Sequence, residues 1–139
     1  MKKLILLIAV AAMLACILIP GVSFTEDNDT IRLAKSIYAL ARTESYETKL
    51  AIGSVVMNRV EDPWFGDTLG EVLSEQHQFP SGSRYDAESL SAAHDVLSGK
   101  RVLSKSALYY RASDAAGEWN AEEVKTIGGY TFYSENGNR

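Results

Sequence analysis

Residues 46–60, YETKLAIGSVVMNRV, constrain the fold of this 139-residue chain most. Leu50, Ile52, Val55, Val56 and Val60 fall on more than one side of a helix, and a helix that is apolar nearly all round must be surrounded by other elements. Gly53 and Ser54 supply the small surface that lets a neighbour come close. The rest of the chain is therefore read as packing around this segment.

Upstream, Ile31, Ala34, Ile37, Tyr38 and Ala41 recur at helical spacing behind Thr30, an expected N-cap, and predict an amphipathic helix over 31–42 whose apolar side Leu40 extends. Downstream, Pro63 stops the central helix. Thr68 and Glu71 form a capping box for a short helix through Glu75. QHQFPSGSRYD, 76–86, reads as a loop. Asp86 then caps a helix carrying Leu90, Ala93, Val96 and Leu97, with Gly99 as terminator. The aromatic-rich runs ALYYR (107–111) and YTFYS (130–134) have strand character, the second following a Gly128–Gly129 turn. They predict a short two-stranded β element on a helical body.

The first 23 residues, with Lys2 and Lys3 ahead of an apolar run from Leu4 to Ile19, read as a signal peptide. Membrane attachment through residues 4–22, with the domain facing outward, is the alternative. Removal of the leader takes the only cysteine, Cys16, so a domain of about 115 residues must hold itself together by packing alone. It leaves 12 basic against 18 acidic residues, a net charge of −6. Nucleic acid is not an expected partner of such a chain, because phosphate binding needs a basic stripe.

His77 and His94, the two histidines, form no H-E-x-x-H pair, and no metal site is expected. No G-x-S-x-G or S-x-x-K pattern marks a nucleophilic serine. Tyr109, Tyr110, Trp119, Tyr130, Phe132 and Tyr133 lie close together near the C-terminus, where flat aromatic faces suit sugar rings and alternate strand positions suit a core. Glu44 and Glu47 follow the first helix at a turn. Glycan cleavage needs a carboxylic acid of raised pKa to protonate the leaving oxygen.

Taken together, IYALARTESYETKLAIGSVVMNRVEDPWFGDTLGEVL, the QF at 78–79 and the closing ALYYRASDAAGEW and VKTIGGYTFY resemble the SleB/CwlJ-type cell wall hydrolases, which include spore-cortex-lytic enzymes. The likeness runs from about Arg32 to Tyr133. It implies a mainly helical α+β domain over 24–139, similar to lysozyme and lytic transglycosylases. The implied partners are the glycan strands of peptidoglycan, the implied location is outside the cell or in its envelope, and no cofactor is implied. Tyr38, His77, Gln78, Phe79, Tyr109, Tyr110 and Trp119 are the implied substrate-binding residues, with 77–79 expected beside the end of the first helix.

The family's acid is the glutamate of its A-E-A-R segment, and YALAR sets Leu40 on that position. Glu44 is the next glutamate of the motif and the candidate replacement. On a continuing helix it would lie about 40° around and about 6 Å along from Leu40. Thr43 and Ser45 also replace the family's glycine and proline. The alternative is a domain that binds glycan, or a protein partner, without cutting.

Overall fold

The computed structural model describes residues 27–135; the leader, Cys16 and the attachment segment 4–22 lie outside them. Among the described residues four helices and one small sheet follow in order: α1 Asn28–Ala41, α2 Tyr46–Glu61, α3 Leu69–Ser74, α4 Ala87–Leu97, then β1 Tyr109–Ala112, β2 Glu122–Ile127 and β3 Tyr130–Ser134. Among the described residues no helix is long and apolar enough to cross a membrane.

α2 is the hub. Every residue from Thr48 to Val56 on it is buried, and so are Asn58 and Arg59. Ser45 caps its start by accepting the Thr48 N–H at 3.2 Å, and the chain leaves it at Asp62, ahead of Pro63. α1 lays Leu33, Ala34, Ile37 and Ala41 into the shared core, and α4 adds Ala92, Ala93 and Val96. At Gly53 the two helices α2 and α4 meet so closely that a Cβ would stand 2.9 Å from Val96 Cγ2. Thr68 caps α3 through the Glu71 N–H at 3.2 Å, and Asp86 caps α4 through the Ser89 N–H at 2.7 Å. Gly99, at φ +110°, ends the α4 segment.

The first helix begins three residues earlier than its periodicity predicts. Thr30 is buried inside it instead of capping it, and Asp27 precedes it without a side-chain cap. The sheet has three antiparallel strands in the order β1-β3-β2, not two. The added strand, EEVKTI, carries charge on three of its six residues and buries only Ile127 fully, so it lacks the apolar alternation that marks a strand. It forms because β3 offers it a free edge, with Ile127 opposite Tyr130 across the Gly128–Gly129 turn.

Candidate functional site

Leu40 stands half-buried on the last turn of α1 and lines a cleft of about 520 Å³ with His77, Gln78, Phe79, Pro80, Ser81 and Tyr110. The last four carbonyls of a helix lack partners inside it. Here the Tyr130 hydroxyl donates to the Leu40 carbonyl at 2.7 Å, so the closing strand fixes the helix end beside the cleft.

The 75–82 loop forms the opposite wall and is held at several points. The Ser36 hydroxyl donates to the Pro80 carbonyl at 3.0 Å, the Tyr110 hydroxyl to the Gln78 carbonyl at 2.5 Å, and Arg59 Nη1 to Gln78 Oε1 at 3.0 Å. The Phe79 and Tyr110 rings stack with centroids 5.4 Å apart. His77 sits at φ +62°, a conformation that costs a side chain of its size and persists only where the surroundings fix it.

Arg59 underlies this wall and is 1% exposed. Its Nε donates to the Leu108 carbonyl at 2.7 Å, and its guanidinium lies 4.8 Å from the Phe65 ring, 5.0 Å from Phe79 and 5.5 Å from Tyr109. Burial pulls its pKa below the ordinary arginine value, and the charge of Glu75 opposes that pull. Burial likewise pushes the Tyr110 phenol up to about 12, against the nearby Arg59 charge. Tyr130 is raised by burial first and by the Glu44 carboxylate second. Both phenols therefore stay protonated and able to donate.

Glu44 does not continue α1. The helix ends at Ala41, and the Glu44 N–H turns back to the Ala41 carbonyl at 3.0 Å. Its carboxylate accepts the Gly129 N–H at 3.2 Å and lies against Gly128 and Gly129, where a Cβ on either residue would collide with the carboxylate oxygens. Gly128 has φ +55°, so glycine is needed there twice over. Lys49 Nζ donates to the Glu44 carbonyl at 2.8 Å and pairs with Glu88 at 2.9 Å. The glutamate is thus tied into the β2–β3 turn and is not among the residues lining the cleft.

The structure gathers Leu40, His77, Gln78, Phe79 and Tyr110 into one cleft. Tyr38 is half-buried on α1 and does not line it. Tyr109 and Trp119 lie on the other face of the sheet, as strand alternation requires once Tyr110 faces the cleft. There Trp119, 43% exposed, packs edge-on against Tyr109 and Tyr133 at 5.9 and 4.9 Å, with Arg111 5.5 Å from its ring. His94 is on the exposed side of α4, and among the described residues no three His, Cys, Asp or Glu side chains are grouped to hold a metal ion. Sequence reasoning passed over Arg59 and the contact of Tyr130 with Leu40. An arginine inside an otherwise apolar helix was the available signal for the first, since such residues are rarely buried without a task.

Comparison with known proteins accords with this architecture. A Cell Wall Hydrolase family profile matches residues 43–133, beginning just past Leu40. The spore cortex-lytic enzyme of Bacillus subtilis (strain 168) is 32% identical over 114 residues, covering 76% of this chain and 37% of that protein. That of Halalkalibacterium halodurans is 32% identical over 115 residues, 76% of this chain and 34% of its own length. The chain thus spans a little over a third of the curated relatives it matches. The catalytic domain of the germination-specific lytic transglycosylase SleB from Bacillus anthracis superimposes with a TM-score of 0.71 at 26% identity, over 84% of this chain and 100% of that one. With most of the described domain matched by the family profile and the whole fold shared with a solved catalytic domain, the chain belongs to the Cell Wall Hydrolase family.

Proposed function

We propose that this is an exported, peptidoglycan-directed domain, residues 24–139, which holds a glycan strand in the Leu40 cleft and cuts it slowly or not at all. One observation carries the reading: a leucine side chain lines the cleft at the position where the family motif has its acid, and no carboxylate stands among the other lining residues. Leucine has no proton to give, and loss of a general acid typically costs on the order of 10²- to 10⁴-fold in rate. The cleft's other means of holding a sugar remain, with the stacked Phe79 and Tyr110 rings, the Gln78 amide and the His77 imidazole.

Glu44 supports a second reading, in which the acid has moved along the chain. Its charge is felt by Tyr130, whose ring lies 5.9 Å from Tyr110 in the cleft. Against this, its carboxylate already accepts the Gly129 N–H, and reacting groups must be held to a fraction of an ångström. Incubating the purified protein with peptidoglycan separates the readings: we expect it to co-sediment with the wall material while releasing neither reducing ends nor anhydro-sugars. Release abolished by Glu44→Gln would establish the moved acid instead.

A further inference from the structure

A second cleft, of about 490 Å³, opens on the far side of the loop that walls the first. His77, Phe79 and Ser81 line both, so the loop is a wall common to the two. The second differs in charge. Arg32 and Lys35, one turn apart on α1, line it and, among the described residues, form no ion pair; Glu75 is the one carboxylate among its lining residues. In a chain of net negative charge, two unpaired cations in a concavity are a local exception.

The arrangement is held from several sides. The Arg32 guanidinium lies over Gly70 of α3, where a Cβ would stand 2.7 Å from Nη1, and Nη2 approaches the Ser74 hydroxyl at 3.5 Å. The loop presses so closely on α1 that a Cβ at Gly82 would stand 2.6 Å from the Lys35 carbonyl. Glycines at both contacts let one cation rest on bare helix backbone and the loop close against the other's helix. Arginine in such a seat presents a planar fork suited to a carboxylate.

We propose that this second cleft takes a carboxylate of the peptide stem borne by a glycan strand whose sugars lie in the Leu40 cleft. The proposal rests on the glycan-holding reading above and names a further part of the same ligand. Sugar rings occupy the aromatic and amide side of the loop, and the acidic substituent crosses at His77 to the cationic side. Exposed charge pairs are individually weak, so two of them together give a roughly fivefold preference that fades with salt.

The test titrates the purified full chain, in mild detergent, with soluble un-cross-linked glycan strands freed of phosphate-bearing polymers. The strands are used with their stems and after amidase removal of the stems, with the lactyl carboxylates that this cleavage uncovers capped as amides. Stem-bearing strands should bind about fivefold more tightly at low salt. The double variant Arg32→Gln with Lys35→Gln should bind both forms equally, at the stem-free affinity of the wild type. Gly70→Ala, which displaces Arg32 without changing charge, should lose part of the preference, and Glu75→Gln should widen it. Equal binding of both strands by the wild type, or a preference that survives the double variant, overturns the proposal while leaving glycan holding intact. A preference seen only with preparations that keep phosphate polymers identifies phosphate as the ligand and also overturns it. Binding of neither strand overturns the glycan-holding reading together with this one.

Discussion

The ends of α1 and α2 both support the Leu40 cleft, and they are built to different tolerances. At the end of α2, Asn58 and Arg59 are almost wholly buried, and their side chains join three otherwise separate stretches. Asn58 Nδ2 donates to the Ser104 and Ala107 carbonyls at 2.9 and 3.0 Å, while Arg59 reaches Leu108 and Gln78. At the end of α1, Leu40 is half-exposed, its side chain packs only against the margin of the core, and its hydrogen bond to Tyr130 is made through the backbone carbonyl, which any residue would supply. The difference teaches that this fold fixes the walls of the cleft with side chains it cannot lose, whereas the position at its centre is free to change chemistry without unfolding the domain.

Arg59→Met tests the intolerant end and should have the largest effect. It keeps the packing against Phe65 and Phe79 but leaves the buried Leu108 carbonyl and the Gln78 amide without their charged donor, at a cost of about 2–3 kcal/mol in urea unfolding. A change below about 0.5 kcal/mol would place this helix end in the same class as the other.

Asp86→Ala gives an intermediate mark on the same scale, because it removes only the cap of α4 and should cost about 1 kcal/mol. The Ser89 hydrogen bonds hold the Asp86 carboxyl below its ordinary value. A depressed folded pKa means that this contribution is present above the unfolded value of about 3.9 and is lost as pH falls below it. The stability difference between wild type and variant should therefore vanish in acid. A difference that persists undiminished there would assign the cost to something other than the cap.

At the alkaline end the sign reverses. Tyr110 in the cleft and Tyr46, hydrogen-bonded to Asp95, are both raised to about 12, chiefly by burial. Their contribution is complete below the unfolded value of about 10 and is lost as pH climbs from about 10 toward 12. Ultraviolet titration should show these phenols ionising only together with unfolding. The smallest effects belong to the tolerant end, where Leu40→Glu and Glu44→Gln should each change stability by less than about 1 kcal/mol, since one side chain is half-exposed and the other keeps an acceptor for Gly129.

How much of this was legible in the sequence follows the same division. The central helix was, because apolar residues all round a helix allow only a surrounded position. So were the Thr68 and Asp86 caps, which depend on neighbours three residues away. β2 was not, because it is mostly exposed and exists through its pairing with β3. Nor was the task of Arg59, whose partners Leu108 and Gln78 are set by the tertiary fold. Alternation said that only one of Tyr109 and Tyr110 faces the core side of the sheet; the phase came from the packing of Phe79 and Tyr130 on Tyr110. The gathering of Leu40 with His77, Gln78 and Phe79 was anticipated through the family motifs, whereas the retirement of Glu44 into a glycine turn depended on where the helix stops.

The central claim is that the cleft lacks only its acid, and the most direct measurement compares glycan cleavage by wild type, Leu40→Glu and Glu44→Gln on the same purified peptidoglycan, followed as reducing ends and anhydro-sugars released. The account predicts little or no release by wild type and by Glu44→Gln, and a gain on the order of 10²-fold or more in Leu40→Glu. Release by the wild type that Glu44→Gln abolishes, or no release by Leu40→Glu although it still binds glycan, would contradict it.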